Sequence, residues 1–280
     1  MAPTKYGKYL FKAPIRTTRM GPPLPSLNFR AAEYGVEASW ILVPVFKPII
    51  MHEIPLKHDF PQFLCILGSN PRNLAEFDAE IEMSLGEEGE KHTITSPTII
   101  YISPGLVHCP LHYKRVGKPV FHLDIFFAPE YVFTEVPRGK TKKTSGTKYA
   151  KHYIKADIKV QREGESPSLH FSAAEYEVKA GWAVVPVVKP GTMVLKPHSH
   201  DFHQFISVIG SDPKNIGDFD AEIEICLGEE QEKHVINSPS LLHLPSGLVH
   251  GSGGYSKVTK PYLWFDIYFS PEYVKTDLRK

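Results

Sequence analysis

The chain repeats itself. Residues Ser26 to Val132 match Ser168 to Val274 at one constant offset and without a gap, and about half of the paired positions are identical. Ala31-Ala-Glu-Tyr34 returns as Ala173-Ala-Glu-Tyr176, Trp40 as Trp182, Phe77-Asp-Ala-Glu-Ile-Glu82 as Phe219-Asp-Ala-Glu-Ile-Glu224, and Pro129-Glu-Tyr-Val132 as Pro271-Glu-Tyr-Val274. A period this long is that of a whole domain, whereas solenoid repeats are far shorter. At 280 residues the chain is long enough to give each copy its own core. The repeat predicts domains over residues 1–137 and 148–280, joined by the polar, basic, glycine-containing segment 138–147 as a linker.

The first 32 residues hold no Asp or Glu but carry Lys5, Lys8, Lys12, Arg16, Arg19 and Arg30, a bias found in mitochondrial presequences. The same arm recurs, however, as Lys5-Tyr-Gly-Lys-Tyr-Leu-Phe-Lys-Ala13 and Lys148-Tyr-Ala-Lys-His-Tyr-Ile-Lys-Ala156. It is therefore read as part of the duplicated unit, and a cytoplasmic location is expected. A formal net charge of +1 offers no electrostatic basis for binding nucleic acid or an anionic membrane. No apolar run approaches the roughly 20 residues of a bilayer span. Cys65, Cys109 and Cys226 show no C-x2-C spacing, so neither a disulfide framework nor a zinc knuckle is expected. Cys65 and Cys226 read as small core residues.

Within each copy the apolar runs are short, rich in Val, Ile and aromatic residues, and cut by Pro and Gly, which predicts an all-β fold. In the second copy strands are expected near Trp182–Val188, Met193–Leu195, Phe205–Ile209, Ala221–Leu227, His234–Ile236, Ser240–Leu244 and Tyr262–Phe269. Several of these are apolar on both faces, which suits a sandwich or barrel whose outer face packs on the sister domain or, in a homodimer, on a second chain.

Chemistry concentrates in Lys196-Pro-His198-Ser-His200-Asp-Phe-His203-Gln204 and in Pro245-Ser-Gly247-Leu-Val-His250. Histidines one residue apart project to the same face of a strand. Four residues further on, Gln204 adds an amide oxygen, and His250 closes the set. The spacing resembles the paired signatures of the cupin superfamily, H-x-H-x3-E-x5-G followed by P-x-G-x2-H, with Gln204 in place of the glutamate. The resemblance covers essentially the whole chain as a bicupin. It implies two tandem double-stranded β-helix (jelly-roll) domains, with one divalent transition metal per chain on His198, His200, Gln204 and His250. Imidazole ligands alone do not choose among Fe, Mn, Co, Ni, Cu and Zn.

With three imidazoles and an amide, the protein neutralises none of the metal's charge. An anionic substrate such as a carboxylate, enolate or phenolate is therefore favoured. Glu222 and Glu224 share one strand face: if it looks into the barrel they are candidate acids, and if not they face solvent while Ala221, Ile223 and Ile225 form the core. Asp266 carries the same ambiguity. His243 is a further acid–base candidate, whereas His203 should point away from Gln204. In the first copy Leu56 stands where the second has His198, while His58, Gln62 and His108 match His200, Gln204 and His250. That site is expected to be degenerate unless Glu80, Glu82 or His52 compensates.

Cupins include metal-dependent dioxygenases, decarboxylases and isomerases as well as noncatalytic storage proteins, so the fold alone does not decide function. The expected reading is a metal-dependent enzyme acting on a small anion, of dioxygenase or decarboxylase/isomerase type. The alternative is a noncatalytic ligand-binding or storage bicupin.

Overall fold

A computed structural model of the chain describes residues 4–17, 24–137, 148–192 and 196–278. The expected linker over 138–147 and the expected strand at Met193–Leu195 lie outside these residues. Among the described residues the chain is built from antiparallel strands with a few single 3-10 turns, and no helix is long and apolar enough to cross a membrane. The fold is all-β, as the short apolar runs required.

Two compact units form, each a pair of sheets. In the C-terminal barrel the larger sheet runs in the order Leu10–Lys12, Ser240–Leu244, Gln204–Gly210, Tyr262–Tyr268, Gly181–Val187, Ser168–Ser172, Ile158–Lys159. The smaller sheet runs Glu232–Ile236, Ala221–Leu227, His250–Val258, His198–Ser199, Thr276–Asp277. Ile206, Val208, Leu242 and Leu244 from the first sheet pack on Ala221, Ile223, Ile225 and Leu227 from the second. The N-terminal barrel repeats the plan with Gln62–Gly68, Thr98–Ile102, Val120–Phe126 and Ser39–Val45 in its larger sheet, and Ala79–Leu85 beside His108–Val116 in its smaller one.

Period-2 alternation sorts the central strands. In Gln204–Gly210 the side chains of Ile206 and Val208 join the barrel core, leaving Phe205, Ser207 and Ile209 on the other face. Both faces are buried within the single chain, Phe205, Ser207 and Ile209 being fully inaccessible. This is why these strands read as nearly continuous apolar runs.

The compact units are not two consecutive segments. One comprises Met1–Ala13, Pro71–Asn73 and Asp157–Lys280, and the other Pro14–Asn70 and Leu74–Ala156. The duplicated arms are exchanged between the barrels. Leu10–Lys12 pairs with Ser240–Leu242 of the C-terminal barrel, and Tyr153–Lys155 pairs with Thr98–Ile100 of the N-terminal one. Each arm is pinned alike. Lys5 pairs with Glu230, which also accepts from the Tyr6 hydroxyl at 2.7 Å. Lys148 pairs with Glu88 at 2.5 Å, and Glu88 accepts from the Tyr149 hydroxyl at 3.0 Å. The lysine hydrogen bonds hold both carboxyls down at about 2. The basic residues of the arm thus serve a structural contact, and the domain boundaries expected from the repeat differ from the compact units by these two arms.

An arm that completes a sheet protects the edge it covers. Deleting residues 1–13 is expected to raise amide exchange at Ser240–Leu244 by roughly tenfold or more, about 1.4 kcal/mol of local opening, while Thr98–Ile102 keeps its protection. Hydrogen–deuterium exchange of the truncated protein checks this, and a loss confined to the N-terminal barrel would contradict the exchanged arms.

Candidate metal centre

In the C-terminal barrel His198 and His250 are directly paired across adjacent strands. His200 lies in the turn between His198–Ser199 and the strand that opens on Gln204. The Pro245-Ser-Gly247 turn is latched to it, because the Gly247 amide donates to the His200 carbonyl at 2.8 Å with Gly247 in the left-handed region at φ 80°. A side chain would be strained there. The latch explains why the motif needs its glycine: it brings His250 up to His200.

The three imidazoles are buried. Ring centroids lie 4.4 Å apart for His198 and His250 and 4.8 Å apart for His200 and His250. Each ring's Nδ1 meets a backbone carbonyl two residues away, at 2.8 Å for His198 and Lys196, 2.7 Å for His200 and Phe202, and 2.9 Å for His250 and Leu248. Only a protonated Nδ1 makes that bond, so in the neutral ring Nε2 carries the lone pair, the tautomer of a metal-binding histidine. His198 Nε2 is buried without a hydrogen-bond partner. Burial pushes His250 down to about 3, with the neighbouring rings adding to it, and lowers His200 as well.

His200 Nε2 lies 2.9 Å from Gln204 Oε1. Gln204 Nε2 in turn donates to both oxygens of Asp266, at 2.8 and 2.7 Å. With Nδ1 donating to Phe202, this orientation sets two acceptors face to face, which demands a proton or another cation at that point. Two ligands bound at about 2.1 Å and a right angle to each other sit about 3.0 Å apart, so the spacing suits neighbouring ligands of one ion. Among the described residues no three His, Cys, Asp or Glu side chains form a ready metal-binding group. The donors that do lie together here are the three imidazoles and the Gln204 amide, whose rings and oxygen would have to draw closer around an ion.

Asp266 is partly buried, and desolvation pushes its carboxyl up to about 7 against the opposing hydrogen bond from Gln204. The Tyr273 hydroxyl reaches Gln204 Oε1 at 3.4 Å. Asp266, Tyr273, Gln204 and His250 line one cavity of about 240 Å³, whose wall also includes Arg162, Ser168 and Thr192. The ambiguity over Asp266 resolves toward the barrel interior. Tyr273 had stood out only as a repeat landmark, and Arg162 carried no signal, since it comes from a chain segment distant from both motifs.

Three expected acid–base residues are not in this cavity. Ala221, Ile223 and Ile225 face the core, which turns Glu222 to solvent and Glu224 to Lys233 at 2.5 Å. The outward placement holds because two ionised carboxylates would have needed partners inside an apolar barrel. Cys226 shares that partly exposed face. His243 lies on the opposite face of its strand from Leu242 and Leu244, stacked on Phe205 at 4.5 Å and bonded to His203 at 2.9 Å. Burial lowers it to about 4, and the nearby His203 adds to this.

The N-terminal barrel keeps the same frame with one imidazole fewer. His58 Nε2 lies 2.8 Å from Gln62 Oε1, Gln62 Nε2 donates to Asp124 at 2.8 Å, and His108 Nδ1 donates to the Leu106 carbonyl at 3.0 Å. Leu56 pairs with His108 as His198 does with His250, and it belongs to the apolar core. No acid compensates from the strand Ala79–Leu85, where Glu80 is exposed and Glu82 pairs with Lys91 at 3.0 Å. His52 reaches the cavity wall, with its Nδ1 bonded to the Ile54 carbonyl at 2.9 Å.

No protein-family model matches the chain, and no curated protein matches it. Solved structures do. An oxalate decarboxylase studied for its substrate binding mode and reaction specificity aligns with a TM-score of 0.59 at 10% identity, over 96% of this chain and 79% of that one. A Bacillus subtilis oxalate decarboxylase carrying a single serine-to-alanine substitution aligns with a TM-score of 0.58 over the same shares. So does one studied for its Mn(II) centres, at 10% identity and a TM-score of 0.58. At this identity the likeness concerns the fold alone, two tandem jelly-roll domains.

Burial of Asp124 has a measurable consequence. Its carboxyl is raised from 3.8 to about 7 in the folded protein. Its favourable contribution is therefore complete below about pH 4 and is lost as pH rises toward 7. Asp124→Asn keeps an oxygen for Gln62 but has no such loss. The thermal midpoint of the variant minus that of the native protein should climb between pH 4 and 7 and level off above, as followed by circular dichroism.

Proposed function

We propose that the C-terminal barrel is the catalytic domain of a metal-dependent enzyme that acts on a small carboxylate-type anion by decarboxylation or isomerisation. The observation that carries this reading is the set of three buried imidazoles, each with its Nδ1 on a backbone carbonyl so that the neutral ring carries its lone pair on Nε2. His198, His200, His250 and Gln204 would hold one divalent transition metal, and when bound it supplies Lewis acidity to a substrate oxygen. All four ligands are uncharged, so the bound cation keeps its full charge and favours an anion.

The chain's own residues supply the rest. Arg162 in the cavity wall, loosely paired with Glu165 of the same wall at 3.9 Å, offers a second positive group to a carboxylate, and the cavity of about 240 Å³ suits a small substrate. Asp266, anchored by Gln204, takes the proton-handling role first expected of Glu222, Glu224 or His243. As carbon dioxide leaves or a hydrogen migrates, the carbon that gains electrons needs a proton, and a partly buried carboxyl beside the substrate is suited to deliver it. Gln204 orients Asp266, and the Tyr273 hydroxyl helps fix Gln204. The solved oxalate decarboxylases with this fold, one studied for Mn(II), are consistent with that chemistry. A dioxygenase would use the same ligands, and turnover measured under nitrogen separates the two: unchanged turnover supports the nonredox reaction, and oxygen consumed in step with substrate overturns it.

Metal content tests the ligand set directly. Elemental analysis should give one equivalent per chain, falling below about a tenth in His198→Ala, a loss of the size expected when one of four ligands is removed. In the other barrel Leu56→His restores the missing imidazole opposite His108 and should raise the content toward two. Arg162→Met should raise KM roughly tenfold with little change in kcat, the size of one charge-assisted contact at a partly exposed site. A protein that binds one metal but turns over no small carboxylate would be a noncatalytic binder.

A further inference from the structure

The N-terminal barrel has lost an imidazole, yet it encloses the larger space. Its cavity measures about 450 Å³, against about 240 Å³ in the C-terminal barrel. At the positions matched by the repeat, His122 stands where the C-terminal barrel has Trp264, and both residues line their cavities. An imidazole fills less volume than an indole, and His122 is drawn to the Tyr113 hydroxyl at 2.8 Å.

The wall is mainly apolar, with Ile41, Val43, Met51 and Leu64 among its residues, and no Lys or Arg is among the described residues that line it. A carboxylate or phosphate would lose its hydration there without gaining a cation. Among the described residues of the wall, one buried side-chain atom lacks a hydrogen-bond partner. His108 is 2% exposed, its Nδ1 donates to the Leu106 carbonyl at 3.0 Å, and its Nε2 is buried with no hydrogen bond. In that tautomer Nε2 is an acceptor, so the partner it lacks is a donor. A buried acceptor left unmade costs on the order of 1–3 kcal/mol, which a ligand bearing a hydroxyl would remove. The space falls within the roughly 300–1,000 Å³ usual for small-molecule sites.

From these features we propose that the N-terminal barrel is a second, metal-independent binding site for an uncharged, largely apolar small molecule with one hydroxyl donor, an alcohol or phenol, that hydrogen-bonds to His108 Nε2. The site is independent of the reaction assigned to the other barrel. It accounts for what Leu56 does there, since an apolar side chain opposite His108 leaves Nε2 as an acceptor without a partner.

The test uses the full-length protein with 2-naphthol as probe and 2-methoxynaphthalene, which lacks the donor, as its comparator. Calorimetry should give one equivalent of 2-naphthol bound about tenfold more tightly than the methyl ether, the fold-change of one net hydrogen bond. His108→Leu should bring the two affinities together. Val43→Trp, which fills this cavity, should abolish binding, whereas the matching Val185→Trp in the other barrel should leave it intact. Equal affinity for the two probes in the native protein overturns the proposal, as does loss of binding in Val185→Trp but not in Val43→Trp. Should Val43→Trp fail to fold, native protein labelled with 13C at its methionine methyl groups decides: the Met51 methyl resonance must shift as 2-naphthol saturates, and an unmoved Met51 signal rejects the site.

Discussion

Each imidazole of the C-terminal centre gives its Nδ1 proton to a backbone carbonyl two residues away, and the arrangement of the barrel's chemistry depends on that local bond. A buried imidazole needs its N–H satisfied, and once the backbone does this the remaining nitrogen is an acceptor whose direction the strand fixes. The Gly247 amide bond to the His200 carbonyl then joins two sequence motifs into one site. None of these contacts requires a side chain from elsewhere in the molecule. Part of the frame recurs in the N-terminal barrel, where Gly105 donates to the His58 carbonyl at 2.7 Å and His108 Nδ1 to the Leu106 carbonyl at 3.0 Å, while His58 Nδ1 is buried without a hydrogen-bond partner.

With that much of the frame constant, the two barrels diverge through a few substitutions. Leu56 in place of His198 removes a lone pair and adds an apolar wall. His122 in place of Trp264 opens volume. The Gln–Asp pair is common to both barrels, as Gln62 with Asp124 and Gln204 with Asp266, and desolvation raises both carboxyls to about 7. The glutamine is therefore held by its nitrogen on the aspartate, which turns its oxygen toward the histidine. This explains its presence in both copies better than the loss of a glutamate from one of them.

The legibility of the sequence followed from the range of the physics involved. Strands at Ala221–Leu227 and Ser240–Leu244 were readable to the residue because the apolar runs end at turn-forming Gly228 and Pro245. The strand expected at Phe205–Ile209 extends to Gln204–Gly210, its polar first residue having masked the boundary. Phase was harder. Alternation places Glu222 and Glu224 on one face without saying which face is inside. That was settled by the apolar core formed by Ala221, Ile223 and Ile225. His243 failed as a pocket residue for a related reason: in a strand buried on both sides, a histidine next to leucines carries no mark of which side it takes.

By itself the sequence determined the duplication, the all-β class and the local spacing that puts His198, His200 and Gln204 beside His250, because repeat offset, period-2 alternation and turn chemistry all act over a few residues. Only the tertiary structure decided which barrel each arm completes, that Asp266 rather than Glu222 or Glu224 stands behind Gln204, and that the copy short of one histidine holds the larger cavity. These depend on contacts between residues far apart in the chain, such as Leu10 with Leu242 and Gln204 with Asp266, whose pairing is set by packing and burial.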